Sequence, residues 1–201
     1  MIKKKLWIIV VILAICMGLY PSIYFIIDRK FGLLNTKTEF ILTNLMWNIA
    51  FYIHIVFGAI ALLIGWIGFS KKIRASHLSL HKKVGKVYVV SVLISSLASI
   101  YIGFFATSGI ISSIGFICLG ILWFYTTLLA FIHIKNKKIT LHKKFMIYSY
   151  ALCFAAVTLR IWMPIMVYIT HDFDTGYKIA SWLCWVPNLI AAYFLNKNDN
   201  S

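Results

Sequence analysis

Six long apolar runs constrain this chain more than any other feature. Residues 6–27, 49–69, 84–106, 110–134, 144–169 and 178–195 each approach the roughly 20 residues that a helix needs to cross about 30 Å of hydrocarbon. Inside a bilayer every backbone N–H and C=O must be paired within a helix or a closed barrel. These runs lack a barrel's alternation of polar and apolar residues, so each is expected to be a helix. Composition agrees: of 201 residues 62% are hydrophobic and 12% charged, with mean hydropathy +0.89, too little charge to clothe a water-soluble surface. The expectation is an all-α polytopic membrane protein, a single integral domain over 1–201. Residues 49–169 form a central four-helix bundle from the second to fifth helices. Residues 1–48 add a first helix and an external loop, and 170–201 a further external loop and the last helix.

Topology accounts for the formal charge of +15. With the N-terminus in the cytoplasm, the inner side receives Lys3, Lys4 and Lys5, then Lys71, Lys72, Arg74, Lys82, Lys83 and Lys86, then Lys135, Lys137, Lys138, Lys143 and Lys144, and finally Lys197. These are 15 of the 20 basic residues, while Asp28, Glu39, Asp172 and Asp174 fall outside. That is the positive-inside pattern of a plasma-membrane protein with both termini cytoplasmic, and it needs no nucleic acid. The partner it implies is the bilayer itself, with its anionic inner-leaflet lipids. Three lysines before an apolar run resemble a signal peptide, but the run is long and lacks a small-residue cleavage site, so it reads as a retained helix. Cys16, Cys118, Cys153 and Cys184 all lie in apolar runs without C-x-x-C spacing, which argues against a disulfide frame or zinc ribbon.

The phrase LHKK occurs twice, at residues 80–83 and 141–144, within the longer pair LSLHKKVGKVYVVSVLISSLAS and ITLHKKFMIYSYALCFAAVTLR. The third and fifth helices therefore read as two versions of one design. The lysines suit snorkelling to headgroups, and the histidines remain open to function.

Ionisable groups inside a membrane are costly and are functional candidates by default. His54 lies in the second run on a stripe with Gly58, Ala61 and Gly65. Arg160, in the fifth, faces the same way as His142 across Ser149, Cys153 and Ala156; His81 aligns with Gly85 and Tyr88. Two readings follow from such stripes. Small residues let helices approach closely, or they line a slot for a flat cofactor such as haem b between helices, with imidazoles from two helices as iron ligands. On the second reading His81 and His142 are the inner iron ligands and His133 a rival. His54 lies toward the outside with His171 as its only candidate partner, and Arg160 binds a propionate. A non-haem metal among His77, His81, His133 and His142 is a further alternative, short of carboxylates. No carboxylate sits centrally in any run, so unless Asp28, Asp172 or Asp174 reaches inward a buried Arg160 invites an external anion, and Asp/Glu proton relays and divalent transport have no support. Neither a Gly-rich phosphate loop nor an H-E-x-x-H motif is present.

In order, HIVFGAIALLIG from His54, LHKKVGKVYVVSVL and LHKKFMIYSYALCFAAVTLRIWMP resemble a bacterial multi-pass family catalogued as domain of unknown function 2306, over roughly residues 50–168. Lys82 and Lys143 stand where that family carries arginine, while Gly85, Tyr88, Leu159 and Arg160 match. The resemblance implies that His54, His81, His142 and Arg160 carry the family's role, which is uncharacterised. The helical arrangement also looks like the cytochrome b561 and ferric reductase bundles. The functional expectation is a b-type haem protein passing electrons to a quinone or a redox partner protein. The alternatives are a non-redox transporter or lipid- or anion-binding protein, and an accessory subunit.

Overall fold

In the computed structural model, which describes residues 4–27 and 32–198, the apolar runs become six long helical segments. These are α1 (Lys5–Ile26), α2 (Leu45–Phe69), α3 (Leu78–Gly103), α4 (Ile110–Lys135), α5 (Ile139–Thr170) and α6 (Phe173–Lys197), all long and apolar enough to cross a membrane. The protein is a multi-pass membrane protein. Four segments begin at least four residues earlier than hydropathy places them: α2 at 45 rather than 49, α3 at 78 rather than 84, α5 at 139 rather than 144, and α6 at 173 rather than 178. Hydropathy ends where charge begins, but the helical backbone continues. Both LHKK phrases are therefore first turns of helices, with their lysines exposed at what is called here the basic end.

Neighbours in sequence are neighbours in space, since α2 packs on α3, α3 on α4 and α4 on α5. The Ile139–Cys153 half of α5 also meets α2, closing the expected four-helix core at the basic end. The Ala155–Thr170 half instead meets α1 and the Phe173–Leu183 half of α6. Thus α2 and α5 are joined at one end of the bundle and part toward the other, where α1 and α6 complete the wall.

Two adjacent segments are interrupted at one level. In α5 the helix turns at Phe154, and in α6 at Cys184 and Trp185, just before Pro187, which has no N–H to continue the ladder. The carbonyls released there have partners. Asn188 Nδ2 donates to Ala151 O at 3.1 Å and to Cys184 O at 3.0 Å, and Thr158 Oγ1 also donates to Cys184 O. Broken helices persist in membranes where side chains restore the lost hydrogen bonds.

Between α1 and α2 the chain forms a strap, a 3-10 turn (Gly32–Thr36) and a short helix (Glu39–Thr43). Leu34, 1% exposed, and Leu42, 5% exposed, sink it onto Tyr24, Trp47 and Phe51. Thr36 Oγ1 meets Thr107 Oγ1 at 3.1 Å, and Lys37 Nζ donates to Phe105 O beyond the end of α3. Gly32 has φ +58°, and a Cβ there would sit 3.2 Å from the Tyr20 hydroxyl and 3.4 Å from that of Tyr24. Backbone conformation and space both favour glycine at this position.

Candidate functional site

The parting of α2 and α5 leaves a cavity of about 460 Å³ inside the bundle, roofed by the strap. His54 and Arg160 both line it. Helical rise puts them at matching depths, since His54 is about 14 Å from the start of α2 and Arg160 about 15 Å from the end of α5. Arg160 Nη1 donates to Ala156 O at 2.7 Å, and its guanidinium lies over the Tyr20 ring, 4.3 Å from the centroid. A cation over an aromatic face is held by the ring's quadrupole, which keeps the guanidinium in the cavity wall. The Arg160 charge also acts on His54 and Tyr24. Lys37 enters the lining from the strap. Burial pulls its ammonium down from 10.5 to about 8, because the charged form gives up water on folding. Among the described residues no carboxylate lines the cavity or pairs with Arg160. The remaining wall is mostly aromatic and aliphatic, and Trp47, 2% exposed, has an indole N–H with no partner among the described residues.

Hydrogen-bond inventory assigns the His54 tautomer. Ser95 Oγ donates its one proton to His54 O at 2.9 Å, and Ser95 O accepts only. His54 Nδ1, 3.2 Å from Ser95 O and 3.1 Å from Ser95 Oγ, must therefore be the donor. In a neutral ring the acceptor is Nε2. The expected slot beside Gly58 is partly taken by this contact, because a Cβ on Gly58 would meet Ser95 Oγ at 3.2 Å.

Toward the basic end the small-residue stripes are packed. At Gly65 an added Cβ would lie 2.5 Å from Tyr150 Cε2 and 2.7 Å from Tyr88 Cε2, so the gap is filled by two tyrosine rings. Tyr150 donates to Leu62 O at 3.3 Å. Tyr88 and Ser149 are linked at 2.8 Å, and Ser149 and Thr127 at 2.6 Å. Thr127 spends its proton on Trp123 O at 2.7 Å, so Ser149 must donate to Thr127 and Tyr88 to Ser149. This directed chain crosses the bundle between the cavity and the basic end. Tyr88 and Ser149 hold equivalent places in the two LHKK phrases, 61 residues apart, and so do His81 and His142, whose charges interact. The repeated segments face each other across the bundle.

The other sequence-selected histidines lie away from the cavity. His142 Nδ1 donates to Ala130 O at 2.8 Å, and His133 stacks on Phe145 with centroids 5.3 Å apart. The Nδ1 atoms of His81 and His133 are buried without partners among the described residues. His77 is exposed at the start of α3, and Gly85 faces open space. Among the described residues no three His, Cys, Asp or Glu side chains are grouped to hold a metal ion. His171 is exposed after α5 beside Tyr168, while Asp172 caps α6, and hydrogen bonds from the Thr175 side chain and from the Thr175 N–H, the latter at 2.8 Å, hold its carboxyl below the usual range. The structure does not bring His171 into the cavity that His54 lines.

The family model described as "Predicted membrane protein (DUF2306)" matches residues 51–196. The chain belongs to that family. The match extends past the 50–168 stretch that carries the quoted motifs and takes in most of α6. No curated protein and no solved structure matches the chain. The family region supplies His54, Arg160 and the directed Tyr88 chain, whereas Tyr20, Tyr24 and Lys37 come from α1 and the strap, outside it.

Sequence reasoning singled out His54 and Arg160 but did not bring them together, and it missed Lys37, Tyr20 and Tyr24. The one available signal for the tyrosines was Pro21, which fixes the 3-10 turn Tyr20–Ser22 at the level where Arg160 needs a ring. A lone lysine in a polar connection carries no signal that it folds inward.

Proposed function

We propose that this protein binds, and in transport passes, an organic anion through the strap-covered cavity, with Arg160 as the anchoring cation. One observation carries the reading: Arg160 stands in an aromatic and apolar enclosure with Lys37 as a second cation and no lining carboxylate among the described residues. With no carboxylate beside it among the described residues, the buried guanidinium is costly, and a ligand carboxylate or phosphate relieves that cost by fork-like hydrogen bonding. The interruptions of α5 and α6 beside the cavity support it, because broken helices at mid-membrane accompany substrate sites in transporters. With the basic end in the cytoplasm, as the positive-inside pattern expects, the strap faces the exterior. The test is the thermal stability of detergent-purified protein titrated with benzoate, decanoate and inorganic phosphate at constant ionic strength. Organic anions are expected to raise the Tm of the native protein, and Arg160→Gln is expected to lose that response. Identical responses of native and variant protein, or none from native protein, defeat the proposal.

A second reading, b-type haem ligated by His81 and His142, is favoured by the Nδ1 hydrogen bond from His142 to Ala130 O, which leaves Nε2 to act as a ligand. It ranks second because Tyr88 and Tyr150 occupy the Gly65 gap and His54 has no second imidazole at its depth. A Soret band in the purified protein that disappears in His142→Ala would promote it over the anion reading.

A further inference from the structure

The cavity's polar groups divide sharply. Arg160 and Lys37 offer positive donors, and the Ser95 contact fixes the His54 Nδ1–H, so a neutral His54 ring offers Nε2 as an acceptor to the space it lines. Nothing among the described residues is recorded as donating to that nitrogen. A small inorganic anion satisfies the cations but leaves most of the space empty. At about 30 Å³ per water, 460 Å³ holds roughly fifteen water-sized groups. The walls that bound this space are apolar and aromatic, with Tyr24, Phe51, Trp47 and Trp123 among them, which suits a flat carbon skeleton better than a hydrated ion.

Resting on the anion-binding reading above, we propose that the ligand is a hydroxylated organic acid of about ten to fifteen heavy atoms, its anionic group on Arg160 and Lys37 and its hydroxyl donating to His54 Nε2. Ser95 is then a positioning residue. By accepting the Nδ1–H on its carbonyl and donating its hydroxyl to His54 O, it holds the ring in the tautomer that accepts from the ligand. A site whose buried acceptor is matched to a hydroxyl discriminates against the analogue that lacks it, because the acceptor is then left dry and unpaired.

The experiment compares the affinity of benzoate with those of 2-, 3- and 4-hydroxybenzoate for the full-length protein in nanodiscs. One neutral hydrogen bond of about 1.4 kcal/mol corresponds to a preference of about tenfold for at least one hydroxylated isomer. His54→Phe, which keeps a ring in place, is expected to bring that ratio close to one, and His54→Gln, which restores a side-chain acceptor, to recover part of it. Near-UV circular dichroism confirms that each variant is folded before its ratio is read. If native protein binds benzoate but no isomer is preferred, or if the preference survives His54→Phe in folded protein, the hydroxyl assignment is overturned and the anion reading stands. If native protein binds none of the four acids, both fall.

Discussion

The directed chain Tyr88→Ser149→Thr127→Trp123 O makes a prediction whose sign reverses with background. All three side chains are fully buried or nearly so, Tyr88 at 1% and Ser149 and Thr127 at 0% exposure, so water does not replace a lost partner. Tyr88→Phe removes the donor at the head of the chain and leaves Ser149 with an idle acceptor. Interhelical hydrogen bonds in membranes average roughly 0.6 and reach about 1.7 kcal/mol, so a loss of about 1 kcal/mol is expected. Ser149→Ala breaks the chain in the middle. It deletes both links and strands the Tyr88 hydroxyl without an acceptor, at a cost of about 1–3 kcal/mol for that group beyond the lost bond to Thr127. In the Ser149→Ala background Tyr88→Phe removes the stranded hydroxyl and is therefore expected to stabilise by about 1 kcal/mol or more. The coupling energy of the cycle is then about 2 kcal/mol. Equilibrium unfolding in mixed detergent micelles of the four proteins measures it. A Tyr88→Phe cost of the same sign and size in both backgrounds refutes the assigned direction. A chain running the other way would make Thr127→Val the rescuing substitution instead.

Lys37 gives opposite pH dependences for stability and binding. Its folded value of about 8 lies below the ordinary 10.5, so between those limits the folded protein holds fewer protons than the unfolded chain. The cost of burying the ammonium is complete below pH 8 and is relieved as pH rises, so stability increases through this window. Benzoate affinity is expected to fall over the same rise, because the cavity loses the Lys37 charge; Lys37→Gln is expected to flatten both profiles, and an unchanged pair of profiles would tell against the placement of Lys37. At Gly65, alanine would push into Tyr150 and Tyr88, both held by hydrogen bonds, and overpacking of this kind costs about 1–3 kcal/mol against a helix-propensity gain of about 1. Gly65→Ala is therefore expected to lower Tm, and a variant as stable as the native protein would show that the two rings move freely.

What was legible in the sequence follows from which interactions are local. Hydrophobic runs and lysine positions depend on each residue's own transfer free energy, so six spans and a basic end could be read directly. The pairing of the LHKK segments was half legible: a repeat suggests equivalent helices, but only the fold shows Tyr88 donating to Ser149 across them. Helical periodicity put Arg160 on one face with His142 and His54 on another helix's stripe. It says nothing of rotation between helices, and that rotation brings Arg160 to the cavity lined by His54 while His142 turns to Ala130 O. The stripes of small residues were ambiguous for the same reason. Gly58 and Ala156 border a cavity, whereas Gly65 receives two rings, and the facing helix determines which.

The strap lies over the cavity that His54 and Arg160 line. Its hold rests on a short set of contacts: the buried Leu34 and Leu42, the Thr36 to Thr107 link and the Lys37 bond to Phe105 O. Over the dozen residues from Gly32 to Thr43 these few contacts work against the entropy of ordering the backbone, so the strap is held less tightly than the six packed helices. Lifting the strap withdraws Lys37 and uncovers Tyr20 and Tyr24, while His54 on α2 and Arg160 on α5 remain held by Ser95 and Ala156. The strap is thus the low-stability unit of this fold. On the proposed reading, an anion that bridges Arg160 and Lys37 would tie the strap down, and ligand binding and closure would then be one equilibrium.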